Sequence, residues 1–97
     1  MQDRSDYKFR LYVAGDAANS VAAVANLNTI CREHLPDRYE IEIVDVFLEP
    51  GRALADGVFL TPTLVKLSPT PMLRIVGSLT QTLPILQAFG ISPESGS

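Results

Sequence analysis

The chain has 97 residues, 46% of them hydrophobic and 20% charged, enough for one compact domain around one core and too few for a second. Its 8 Lys and Arg against 11 Asp and Glu give a formal charge of −3. The charges are scattered, so no basic stripe exists to hold a phosphate backbone, and nucleic acid is excluded as a partner. No apolar run approaches the roughly 20 residues that span a bilayer. The start, Met1-Gln2-Asp3-Arg4-Ser5-Asp6, has no apolar stretch of a secretory signal, so a cytoplasmic location and no membrane are expected. One cysteine, Cys31, cannot form an internal disulfide.

Phe9-Arg10-Leu11-Tyr12-Val13-Ala14 is β-branched and aromatic, and ends at Gly15-Asp16, which predicts a first strand. Asn19 or Ser20 then suits a helix N-cap, and Val21, Val24, Leu27, Cys31 and Leu35 recur at helical spacing. Pro36-Asp37 stops that helix. Tyr39, Ile41 and Ile43 alternate with Glu40, Glu42 and Val44 in a second strand reaching about Val46, and the two strands with their helix predict a parallel right-handed βαβ unit.

Pro50 suits the first turn of a second helix running toward Phe59, although Gly51 and Gly57 each weaken it by roughly 1 kcal/mol. Thr63–Leu67 and Met72–Val76 read as an antiparallel hairpin around Ser68-Pro69-Thr70-Pro71. Leu79, Leu83, Leu86 and Phe89 mark a third helix, capped by Ser78 or Thr80, whose regular part begins near Thr82 because of Pro84. One domain over residues 1–97 is expected, with an ordered core of about 8–91 and polar tails at 1–7 and 92–97. The order β-α-β-α-β-β-α, with Thr61-Pro62 ahead of the third strand, is that of the α/β thioredoxin-like fold, and order alone does not assign function.

Redox chemistry in that fold needs Cys-x-x-Cys at the start of the first helix, where these residues read Gly15-Asp16-Ala17-Ala18-Asn19-Ser20. Cys31 lies on the apolar stripe and reads as a packed thiol. His34, alone at a helix end, brings no ligand set for a metal, and no phosphate-binding loop is present. No cofactor is expected. Glu40 and Glu42 share a strand face that reads as solvated. The Thr61-Pro62 bond can be cis, which would expose backbone groups at a sheet edge.

Tyr12-Val13-Ala14-Gly15, Asn19-Ser20-Val21, Val44-Asp45-Val46, Pro50 and Thr61-Pro62-Thr63-Leu64-Val65-Lys66, in this order and spacing, resemble the KaiB family of circadian clock proteins from about Leu11 to Gly77. The KaiB-like sensor domain of a clock-associated histidine kinase is the near alternative, and no kinase region follows in these residues. The resemblance implies a protein that is not an enzyme but binds the ring ATPase KaiC and alters its phosphorylation or ATPase cycle in a clock or stress-timing system. A KaiB-competing histidine kinase is a further implied partner, and a homo-oligomer stays open.

The resemblance also implies two folds, the thioredoxin-like one that binds and a resting one ordered β-α-β-β-α-α-β, separated by a few kcal/mol. It points to Thr61, Pro62, Pro71, Ala88 and Gly90 as fold-switch positions. Clock members carry a Gly and an Asp near the positions of Ala88-Phe89-Gly90, and this departure predicts that the thioredoxin-like state dominates here. They carry basic residues at the positions of Ala22 and Glu42, which look involved in capturing KaiA, so capture of KaiA is not expected. The surface expected to meet KaiC is the second helix and its flanks, Glu49, Pro50, Asp56, Thr61, Pro62 and Lys66. Two rival readings are a divergent thioredoxin-like enzyme using Cys31 alone and a self-associating structural module.

Overall fold

A computed structural model describes residues 6–91, which leaves the expected tail at 92–97 and residues 1–5 outside the described residues. The elements are β1 (Tyr7–Val13), α1 (Ala18–His34), β2 (Tyr39–Asp45), α2 (Pro50–Ala55), β3 (Thr63–Ser68), β4 (Leu73–Val76) and α3 (Thr82–Phe89). Tyr7 therefore belongs to a strand and not to a tail. The expected order holds, with the strands arranged β2-β1-β3-β4 in one sheet. β1 and β2 are parallel from Tyr7↔Tyr39 to Val13↔Asp45, whereas β3 runs antiparallel to both β1 and β4.

Strand alternation gives β1 two faces. Phe9, Leu11 and Val13 join Leu64, Ala23, Leu27, Ile30 and Cys31 of α1, and Ile85, Leu86 and Phe89 of α3, in the main core. The Phe9 and Phe89 rings lie 4.8 Å apart between centroids. On the other face Tyr12, Val44 and Val65 form a smaller cluster with Ala53 of α2 and Val58 behind it. The sheet is thus covered by two helices on one side and one short helix on the other.

Several local expectations change. Neither Asn19 nor Ser20 caps α1; Ala17 holds that position, and the Ser20 hydroxyl accepts the Ala14 N–H at 3.0 Å, tying the helix to the end of β1. The buried stripe of α1 runs through Ser20, Ala23, Leu27, Ile30 and Cys31, which turns Val21 outward. The second helix ends at Ala55 instead of nearing Phe59, because Gly57 takes φ +69°, outside the helical region. α3 starts at Thr82 without a Ser78 or Thr80 cap, so Pro84 falls in its first turn, where an N–H has no helical acceptor anyway. Gly90 ends it in the left-handed region at φ +79°, and Leu83 faces solvent while Ile85 takes the core position.

Because Phe89 is buried between sheet and helix and Leu83 is exposed, Phe89→Ala should lower unfolding free energy by about 3–5 kcal/mol and Leu83→Ala by about 0.5 kcal/mol or less, measured by urea denaturation.

Candidate functional site

The register places four connections at one end of the sheet. β1 and β2 finish together at Val13 and Asp45, β3 begins opposite Tyr12, and β4 ends opposite Thr63. The segments Ala14–Ala17, Val46–Glu49, Asp56–Pro62 and Gly77–Gln81 meet the strands at that end, and the second and third flank α2. Asp45 braces two of them, its Oδ1 accepting the Phe47 N–H at 2.8 Å and the Gly15 N–H at 3.3 Å. Thr61-Pro62 is cis, as are Ser68-Pro69 and Thr70-Pro71. β3 is an inner strand, however, and the Pro62 carbonyl accepts the Gly77 N–H at 2.9 Å, so this bond does not open a sheet edge.

On α2 and the two segments flanking it, five large apolar side chains stand out into solvent: Phe47 73%, Leu48 78%, Leu54 68%, Phe59 81% and Leu60 63% exposed. Such a concentration within 14 residues differs from the scattered apolar residues of an ordinary surface. None was singled out from the sequence. The legible signal was two adjacent apolar pairs, Phe47-Leu48 and Phe59-Leu60, lying in loops where no strand or helix period would bury them.

Of the residues expected at a partner surface, Glu49 and Pro50 are exposed at the start of α2, Asp56 and Thr61 are half-buried beyond its end, and Pro62 is buried. Lys66 stands apart. It is 3% exposed and pairs with Phe9, on the sheet face covered by α1 and α3, so the structure does not bring it to the α2 surface. Among the expected fold-switch positions, Pro71 lies in the β3–β4 turn, Ala88 is half-buried on α3 and Gly90 follows that helix.

Beneath the apolar band lies a charged cluster. Glu42, expected to be merely solvated, receives Arg10 Nε at Oε1, 2.9 Å, and Arg52 Nη2 at Oε2, 2.8 Å. Arg10 Nη1 donates to Asp56 Oδ2 at 2.9 Å, and the Tyr12 hydroxyl bonds the same carboxylate and lies 3.2 Å from the Arg52 carbonyl. The Tyr12 hydroxyl, followed by Arg10, holds the Asp56 carboxyl below its ordinary range, and Arg10 followed by Arg52 does the same for Glu42. Burial is the main cause that pushes the Tyr12 hydroxyl up.

Nothing in this arrangement resembles an acid–base or nucleophilic pair. Cys31 is buried in the main core, and burial pushes its thiol up to about 12, where little thiolate exists at neutral pH. Among the described residues no three acid, His or Cys side chains group as a metal site, and no helix is long and apolar enough to cross a membrane. An open apolar groove of about 570 Å³ lies at the same end of the sheet but on its α1 and α3 face, lined by Ile75, Leu79, Pro84, Ile85 and Ala88.

A thiol-labelling reagent should therefore modify Cys31 in native protein at a small fraction of its rate in denaturant, and rapid native labelling would restore the one-thiol enzyme. The two acids predict a pH dependence as well. Each is more acidic folded than unfolded, so each adds stability above its ordinary value, 3.8 for Asp56 and 4.5 for Glu42, and loses it as pH falls through the lower folded value. The midpoint of thermal unfolding should fall on acidification through this range, less steeply in Asp56→Asn.

The KaiB domain family model matches residues 10–90. Circadian clock protein KaiB3 of Synechocystis sp. is 40% identical over 92 residues, covering 95% of this chain and 90% of that one. The solution structure of the N-terminal domain of Synechococcus elongatus SasA superposes with a TM-score of 0.74 at 17% identity, covering 93% of this chain and 89% of that one. Fasciola hepatica thioredoxin does so with a TM-score of 0.70 at 16% identity, covering 91% and 82%. These two likenesses show a thioredoxin-like α/β fold. The family match and the identity to KaiB3 over nearly the whole length show that the chain belongs to the KaiB family.

Proposed function

We propose that this protein is a non-catalytic regulator that docks on a KaiC-type ring ATPase and modulates its phosphorylation or ATPase cycle. The observation that carries this reading is the apolar band of Phe47, Leu48, Leu54, Phe59 and Leu60 around α2, at the loop-bearing end of the sheet. Large apolar and aromatic side chains presented together are what a protein interface buries, and aromatic anchors carry much of the binding energy. Glu49 and Pro50 rim the band, with Asp56 and Thr61 at its inner edge. A deeply buried thiol and the missing Cys-x-x-Cys support a role without catalysis.

A histidine kinase built on the same fold competes for this ring in the proposed scheme, consistent with the likeness to the SasA N-terminal domain. Capture of a KaiA-type protein is not part of the scheme. Glu42 is an acid held by Arg10 and Arg52, opposite in charge to the basic residue expected for that capture, and Ala22 carries no charge. The cell compartment in the scheme is the cytoplasm, where a ring ATPase finds its nucleotide.

Gel filtration with mass detection tests the proposal, using the protein with a KaiC-type ATPase from the same genome in ATP and in ADP. A nucleotide-dependent shift onto the ring is expected, and no complex after long incubation would overturn it. Phe59→Ala should weaken that complex about tenfold or more while leaving the fold intact, since the ring is 81% exposed in the free protein.

A further inference from the structure

α2 has little apolar hold on the sheet it covers. It is six residues long, far below the length at which an isolated helix persists in water, and no side chain caps its N-terminus. Ala53 is its one buried residue, and an alanine methyl is the smallest apolar side chain that burial can use. Leu54 points to solvent, and Val58, the next buried apolar group, lies beyond the helix.

Polar contacts from three strands converge instead on the stretch Arg52–Asp56. From β1, Arg10 reaches the Asp56 carboxylate at 2.9 Å, and the Tyr12 hydroxyl reaches both that carboxylate and the Arg52 carbonyl. From β2, Glu42 holds Arg52 at 2.8 Å. From β4, Arg74 Nη2 donates to the Asp56 carbonyl. Arg10 closes the set by also binding Glu42 at 2.9 Å, so a single guanidinium joins β1, β2 and the end of α2. Its fork of five donors can serve two carboxylates at once, which a lysine ammonium does with less geometric definition.

We propose that Arg10 and Glu42 form a clamp that positions α2, and that opening it releases α2 with its apolar band from an otherwise intact sheet. The clamp thereby governs whether the docking surface exists as one face. The proposal rests on the docking reading for this consequence but not for its physics, and its test needs no partner.

The groups facing the clamp define when it opens. β1 contributes Lys8, Arg10 and Tyr12, β2 contributes Glu40 and Glu42, and β4 contributes Arg74. Glu49 and Arg52 come from α2 and its N-cap, joined to each other at 3.3 Å, and Asp56 from its C-cap. The Tyr12 hydroxyl and Arg10 hold the Asp56 carboxyl, and Arg10 and Arg52 the Glu42 carboxyl, below the ordinary carboxylate range, so the clamp stays charged at neutral pH. Arg10 is 24% exposed and Glu42 44%, so salt reaches these pairs and weakens them.

Amide hydrogen exchange on the full chain tests the clamp. The reporters are the N–H groups of Asp56, Gly57 and Val58, which bond to the carbonyls of Arg52, Leu54 and Ala53; the reference is the Val46 N–H bonded to Val13. Arg10→Met should cut protection at the three reporters tenfold or more and leave Val46 within twofold. Arg38→Met, which removes an exposed ion pair to Asp6 elsewhere, should change none of them. Should Arg10→Met fail to fold, wild-type protein moved from low salt to 1 M sodium chloride provides the same comparison. Equal loss at Val46 and the reporters, or no loss at the reporters, would overturn the proposal.

Discussion

The two-sidedness of β1 organises the molecule. Its odd-numbered residues, Phe9, Leu11 and Val13, build the main core with α1 and α3, while Arg10 and Tyr12, alternating with them, face α2. As an inner strand paired on both edges, β1 cannot shift by one residue without exchanging these two sets. Such a slip would carry Arg10 into an apolar core, where an unpaired guanidinium is costly. The same strand thus sets the register of β2 and β3 and the place of the short helix.

The division of labour between the faces explains why the exposed apolar side chains gather around α2. The α1 and α3 side buries the larger apolar cluster, with Phe9, Leu27, Leu64, Leu86 and Phe89 at its centre. The α2 side has a small apolar cluster and a charged network, and it leaves Phe47, Leu48, Leu54, Phe59 and Leu60 uncovered. The stretch Gly15–Ser20 holds no cysteine, and Cys31 is buried in the main core.

Much of the fold was legible because period-2 and helical patterns are local properties of the chain. Tyr39 and Ile41 pack against the main core as their alternation implies, whereas Ile43 is exposed and Val44, which the alternation grouped with the solvated acids, is buried under α2. What failed was anything that depends on a neighbour distant in sequence. Glu42 reads as a solvated acid until β1 brings Arg10 beside it, 32 residues away in the chain. Lys66 reads as a surface cation within a family motif until the pairing with Phe9 turns it to the covered face. Val21 and Leu83 satisfy a helical stripe as well as their neighbours do, and only the position of each helix on the sheet decides between them. The apolar band was missed for the opposite reason, since loops have no period to read.

The central claim is that the face around α2 meets the ring ATPase. Its most direct test is a footprint of the complex by amide hydrogen exchange, comparing bound with free protein across the chain. Added protection concentrated between Phe47 and Leu60, with β4 and α3 unchanged, is the result this account predicts. Protection centred on the groove between β4 and α3, with Phe47–Leu60 exchanging as in the free protein, would contradict it.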